Sequence, residues 1–328
     1  LSNKKIIINK SNIFFKDNLD EVISIIKINN SVAYFNDKKL INFLNLTGEV
    51  FNIPFNFNLQ YQNDSTIFEK THISIKPLKL NISNELTTKK NLTSGENSIS
   101  FLNSTVHTKY NVKDKLIIFR SDSSRYGDSR INYNGELLIN PFDLSLDIRL
   151  DNHKISKLFN FNPILIEFIK SGLLFNNNIN IKNSITINSN KKKEFFQNAK
   201  INFSIINGKF NLDDTTFTSN KLGLLELSSS NLFLENNNLI LNTDILFKVK
   251  DSDRLFSFLN TNKKSRKEIK NILINLNYNF LKDEKKFNKV KINNDDISDQ
   301  FLNIIESSNN SPINLIKSRL LLNKLFSI

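Results

Sequence analysis

Residues 51–62 alternate without a break. Phe51, Ile53, Phe55, Phe57, Leu59 and Tyr61 are each followed by Asn, Pro or Gln. The same period of two returns at residues 142–150, 239–249 and 272–280. A strand sends successive side chains to opposite faces, so each run predicts a ribbon with one apolar and one polar side. At about 3.3 Å per residue the first stripe is roughly 40 Å long. The second stripe carries Phe142, Leu144, Leu146, Ile148 and Leu150. The third carries Leu241, Ile245 and Phe247, and the fourth Ile274, Leu276 and Tyr278. These side chains are the candidate surface for an apolar ligand.

Further strands are expected at residues 23–28, 31–34, 48–62, 71–76, 78–82, 98–102, 105–112 and 116–120. Pro77 sits where the apolar parity flips from Ile73 and Ile75 to Leu78, Leu80 and Ile82, which predicts an edge position or a bulge. Asn134-Gly135 and Asn207-Gly208 lie between apolar runs and predict hairpins. Residues 121–129 read as a polar loop around Gly127.

Helices are expected to be short and to sit at strand ends. One follows Asp151 with Ile155, Leu158 and Phe159 at helical spacing, and a second piece starts at Pro163 and stops at Gly172. Another follows Asp251 with Leu255, Phe258 and Leu259. The two places match at an offset of 100 residues, which predicts an internal repeat of strand, capped helix and strand. In the tail, Asp295 or Asp296 is placed to cap a helix bearing Ile297, Phe301, Ile304 and Ile305. Ser311-Pro312 opens a last helix that reads as a plug on the end of a sheet. The expected fold is mainly β: an elongated, strongly twisted antiparallel sheet forming an open apolar groove, with a few short helices and a helical C-terminal tail. Its expected segments are an N-terminal β region (1–130), a second β region with short capped helices (131–296) and the tail (297–328).

The 328 residues are 39% hydrophobic, with 28 Phe and no Trp, Cys or Met. Asn, Lys and Ile are abundant, a palette that AT-rich codons favour. The absence of cysteine excludes disulfides, thiolate chemistry and Cys-ligated metals. The three histidines, His72, His107 and His153, are far apart and lack carboxylates at metal-ligand spacing. There is no G-x-S-x-G or phosphate-binding glycine loop, and Asp213-Asp214 and Asp295-Asp296 suit a turn or a helix cap better than acid–base catalysis. No catalytic residue, metal or cofactor is expected. The net charge of +13 could meet phosphate, but no RNA-binding signature or Cys/His finger accompanies it, so nucleic acid is not an expected partner. Lys191 to Lys193 and the basic cluster at 263–267 read as solvated loops or as contacts with anionic headgroups. A chain without any Met, secretory leader or membrane-spanning run reads as a piece of a longer polypeptide whose membrane anchor lies elsewhere. The most apolar stretch, 161–175, is broken by Pro163, Glu167 and Lys170.

Such stripes have two fates. They can pack against each other as a β-sandwich core, or they can line the unfilled concave face of an open sheet and hold acyl chains. Few helices to cover the sheet and low overall hydrophobicity favour the open face. A surface β-solenoid is a third reading and predicts a repeat of about 20–30 residues.

Residues 131–291 carry a recognisable order of elements. Ile131-Asn-Tyr133-Asn134-Gly135-Glu-Leu137 is followed by Asn140-Pro141-Phe142-Asp-Leu144 and, after the capped helix, by Ser171-Gly172-Leu-Leu. Then come Ile205-Ile-Asn207-Gly208-Lys-Phe210, Lys221-Leu222-Gly223-Leu-Leu225-Glu-Leu227, Leu255-Phe-Ser-Phe258 and Arg266-Lys267. This order resembles the C-terminal region of the AsmA-like family of bacterial envelope proteins, which includes TamB-type relatives. The resemblance implies a non-enzymatic protein anchored in the inner membrane of a Gram-negative bacterium, projecting into the periplasm as a twisted sheet with an apolar groove. It implies phospholipid acyl chains and envelope proteins as partners, and a role in phospholipid transport or outer-membrane assembly. No family residue with a chemical role maps onto this chain.

Overall fold

The computed structural model describes residues 4–16, 22–156, 173–190, 194–236, 238–261, 263, 266–282 and 284–297. The expected helices beyond 156 and in the tail, and the lysines at 191–193, lie outside these residues. Among them the chain is mainly β, with twenty strands and one α-helix. It divides into two compact units, Leu1–Asn140 and Pro141–Ile328. The break falls after a complete strand, ten residues beyond the sequence-based boundary at 130, which would have cut that strand in two.

The first unit is a meander of ten strands: β1 (Ile6–Lys16), β2 (Val22–Asn36), β3 (Ile41–Val50), β4 (Ile53–Asn63), β5 (Ile67–Ile75), β6 (Leu80–Lys89), β7 (Leu92–Phe101), β8 (Ser104–Lys113), β9 (Leu116–Tyr126) and β10 (Ser129–Leu138). Each strand pairs antiparallel with the next. This order excludes a solenoid for the unit, since successive solenoid coils run the same way. Five connections are two-residue turns, at 51–52, 90–91, 102–103, 114–115 and 127–128. Their first residues, Phe51, Lys90, Leu102, Asp114 and Gly127, all have positive φ. Turns of this hand match the twist of the strands they join.

Several expectations change here. The run 48–62 is not one strand, because Phe51 and Asn52 (φ 49° and 61°) form a hairpin tip. Hairpin closure wins over the period-two pattern, leaving Phe51 72% exposed and outside the stripe. Pro77 lies in a 3₁₀ turn, Lys76–Leu78, which reverses the chain between β5 and β6. The parity flip thus marks a new strand rather than a bulge. Asn134-Gly135 is not a turn but lies within β10, where Gly135 faces Phe119 and Asn134 faces Arg120. The period continues through the glycine from Tyr133 to Leu137, and the hairpin sits at Gly127-Asp128 instead. Residues 121–126 accordingly belong to β9 and not to a loop. Residues 23–28 and 31–34 belong to one strand, β2, whose register against β3 shifts between Ile28 and Asn30.

The second unit contains β11 (Phe142–Asp151), β12 (Ile179–Asn188), β13 (Asn198–Ile206), β14 (Lys209–Asn211), β15 (Thr216–Ser219), β16 (Gly223–Glu235), β17 (Asn238–Val249), β18 (Asn271–Asn279), β19 (Glu284–Ile292) and β20 (Asp295–Asp296). β11 and β12 are parallel, an exception to the expected antiparallel order. The remaining pairs are antiparallel. Asn207-Gly208 forms the expected hairpin, with φ of 51° and 70°. A Cβ on Gly208 would lie 2.4 Å from the Phe175 carbonyl oxygen, so the turn needs glycine for space as well as for φ.

The helix expected after Asp251 is α1 (Ser252–Leu259). The Asp251 side chain accepts a hydrogen bond from the Arg254 amide at 3.0 Å, and Asn260 ends the helix at φ 58°. Leu255, Phe256 and Leu259 form its buried face. Asp251→Ala removes the cap, and urea denaturation is expected to show a loss of about 1 kcal/mol. The offset of 100 residues does not mark a topological repeat. β11 and β12 run parallel, whereas β17 and β18, which flank α1, run antiparallel. What the two places share is an Asp at a strand end followed by apolar residues at helical spacing, a local feature. Asp295 and Asp296 form a two-residue strand beside β19, after a hairpin closed by Asn293 and Asn294, both at positive φ. The helix expected after them lies outside the described residues.

Candidate functional site

Cross-strand register decides which stripes share a face. In the first unit Leu46 faces Phe57, Phe57 faces Ile73, Ile73 faces Ile82, Ile82 faces Ile99 and Ile99 faces Val106. This unbroken apolar row crosses six strands and spans about 24 Å at the usual ~4.8 Å strand spacing. Phe55 lies beside it, its ring over Gly48, where a Cβ would come within 3.3 Å. Leu59 faces Leu44, Tyr61 faces Asn42, and Ile53 faces Val50. The opposite face carries Asn45, Asn58, His72, Ser83, Ser98 and Lys109.

Among the unit's described residues no second layer lies on the apolar row. Substantial contacts between its elements are those of ladder neighbours and of the 3₁₀ turn with β4 and β6. All six side chains of the row stay half-buried, and Ile28 is the buried hydrophobic residue among the unit's described ones. A sandwich core would bury them.

Part of the same face is polar. Thr71 faces Asn84, Asn84 faces Asn97 and Asn97 faces Thr108. The Tyr110 hydroxyl donates to Asn84 Oδ1 at 2.8 Å, and the Thr88 and Thr93 hydroxyls lie 2.7 Å apart. Gly95 lies against the Tyr110 ring, with only 2.5 Å left for a Cβ.

The polar face carries a row of charges: Lys70, Glu85, Glu96, Lys109 and Arg120 on successive strands. Lys70 pairs with Glu85, and Lys109 with Glu96 at 3.2 Å. These exposed pairs contribute up to about 1 kcal/mol each. A depression of about 510 Å³ opens here, lined by His107 and Asp122 among others. Nearby, Ser121 and Ser124 are buried where β9 shifts register against its neighbours, their hydroxyls 2.6 Å apart. Ser124 Oγ also accepts from the His107 amide, so both serines brace an irregular strand.

In the second unit the other three stripes lie on one face. Leu150 heads a row through Ile187, Ala199, Phe217, Leu225, Phe247, Ile272 and Ile292. Leu144 heads another through Ile181, Ile205, Phe210, Leu232, Leu241 and Tyr278. Between these rows Ile148 faces Ile185, and Ile245 faces Ile274. At one end α1 and the Phe195-Phe196 pair cover the face, so Leu150, Phe247 and Ile274 pack against buried clusters. At the other end Leu174, Phe175 and Phe280 cover Ile205 and Leu239, with Leu241 beside them. Leu276 is buried, with 7% exposure, so it is core and not a free lining residue. Phe142 and Leu146 are half-buried on the same face.

Apart from Phe51, the residues of each stripe lie on one face of their unit. Alternation missed most of β6 and β7, where Asn84, Thr88, Thr93, Gly95 and Asn97 occupy inward positions. The faint signal there was a single apolar residue, Leu86, at inward parity opposite Gly95, whereas Leu92 lies on the other face. No family model, curated protein or solved structure matches this chain.

Proposed function

We propose that the chain is a non-enzymatic, lipid-binding groove segment of an AsmA-like envelope protein, working on the periplasmic side of the inner membrane in phospholipid transport or outer-membrane assembly. The observation that carries this reading is the row from Leu46 to Val106, apolar across six strands, half-exposed and, among the unit's described residues, without a covering layer. A bilayer's hydrocarbon core is about 30 Å thick, so one acyl layer occupies about 15 Å. A row of about 24 Å therefore exceeds an acyl chain's span. The second unit supports the reading less directly, because its apolar face is covered at both ends and is buried at Leu276 and Thr243 between them. Lysine-rich surface would favour anionic headgroups by about 1 kcal/mol per basic residue near them.

Native mass spectrometry of the purified chain, with lipid extraction from the same sample, tests the proposal. One or more phospholipids should remain bound, and delipidated chain should take lipid up from vesicles. A chain that stays lipid-free with vesicles in excess would return the stripes to the sandwich reading.

A further inference from the structure

Charge is sorted by face in β4 to β8. Lys70, Glu85, Lys89, Glu96, Lys109 and Lys113 all lie on the face opposite the apolar row. Glu69 is the one charged residue of these strands on the row's own face, and the Thr71 hydroxyl donates to it at 3.2 Å. Uncharged polar groups, by contrast, form a lane directly beside the row. Thr71, Asn84, Asn97 and Thr108 each sit two residues along the strand from Ile73, Ile82, Ile99 and Val106, a step of about 6.6 Å.

Most of this lane is already hydrogen-bonded within the protein. Thr71 is bound to Glu69, Asn84 Oδ1 accepts from the Tyr110 hydroxyl at 2.8 Å, and the Thr108 and Tyr133 hydroxyls share a hydrogen bond. Asn97 is the exception. Its side chain is half-buried in the middle of the lane and has no hydrogen-bond partner among the described residues. Water satisfies such an amide while the face is wet. An acyl chain laid over Ile99 would displace that water, and a donor left unsatisfied in an apolar setting is costly. The ligand therefore has to bring an acceptor of its own.

A phospholipid carries two kinds of acceptor, the ester carbonyls where its chains begin and the oxygens of its phosphate. A phosphate lowered onto this face would meet the Glu69 carboxylate and no lysine or arginine of β4 to β8, so the charges oppose it. An ester carbonyl is uncharged and is joined directly to the chain that the row would hold. On the lipid-binding reading above, we infer that Asn97 is a specificity-determining residue of the groove. Its side-chain amide donates to an ester carbonyl of a phospholipid whose acyl chain lies on the row, and the phosphate is held off the face.

Vesicles containing equal amounts of ester-linked and ether-linked phosphatidylcholine, matched in chain length, separate these contributions. The ether lipid has methylenes in place of the two carbonyls and the same headgroup. Native mass spectrometry of the full chain after incubation should show the ester lipid bound about fivefold or more over the ether lipid. Asn97→Leu removes the donor and should abolish the preference by raising uptake of the ether lipid. Asn111→Leu, on the opposite face of β8, should keep it. Equal binding of the two lipids by the unmodified chain would overturn the inference and leave the lipid-binding reading standing, and that comparison needs no variant to fold. A preference that survives Asn97→Leu would also overturn it. Binding of neither lipid would overturn the inference and the lipid-binding reading together.

Discussion

Phe57→Asp is expected to strip phospholipid from the chain without unfolding it. Phe57 sits between Leu46 and Ile73 in the apolar row and is half-exposed. A carboxylate there keeps much of its hydration in the lipid-free protein, so folding loses chiefly the contacts of one ring. Once an acyl chain lies over it, that carboxylate must shed water with no partner, which costs several kcal/mol. Each 1.4 kcal/mol is tenfold in affinity, so binding should fall by about a hundredfold or more. Native mass spectrometry reads the lipid, and circular dichroism with a thermal melt reads the fold. Asn58→Asp, one residue away on the opposite face, adds the same charge and should change neither. A Phe57→Asp chain that unfolds would show that Phe57 is packed core.

Phe256→Ala should do the reverse, destabilising the second unit by about 3–5 kcal/mol. Phe256 is 1% exposed and anchors α1 against Leu222, Ile269 and Ile272. Its removal leaves a cavity that the sheet beneath, fixed by ladders on both sides of β17, can collapse into only in part. Phe258, on the same helix, is half-buried and meets Phe195 edge to face at 4.8 Å. Phe258→Ala should cost clearly less. Denaturant titration of the two variants gives the ranking, and equal losses would mean that the helix is not seated on Phe256.

The contrast between these residues explains what was legible in the sequence. Period-two alternation identified β4, β11, β17 and β18 because their inward positions are almost uniformly apolar. It failed at Phe51, where the pattern carries on through a hairpin that positive φ at two ordinary residues closes. Turn chemistry failed in the opposite sense at Asn134-Gly135, because a strong turn dipeptide is still a passable pair of strand residues when register demands it. Hairpins at Lys90-Asn91, Leu102-Asn103 and Asp114-Lys115 contain no glycine; the last two were legible only as gaps between the apolar runs expected at 98–102, 105–112 and 116–120, and the first was missed. Whether a stripe is covered is not a local property. Phe57 and Leu276 look alike in sequence, yet one lies on a single-layer meander and the other lies in a buried core. That difference depends on which elements return over the face.

The short hairpins of the first unit also set how such a protein can change in length. Each pair of strands leaves the chain running in its original direction with the same side chains inward. Loss of β6 and β7 together, or duplication of them, would therefore keep every other strand facing as it does now, and would alter the row by two strand spacings, about 9.6 Å. Contacts in a meander join near neighbours in sequence, so an added hairpin needs no distant partner to form. In the second unit the same freedom extends to the antiparallel run from β16 to β19 but not to the parallel pair β11 and β12, whose connection must span the whole strand. Tandem duplication of hairpins is thus a route open to the first unit along its whole described length, and the reach of its apolar row is a quantity that evolution can adjust in steps.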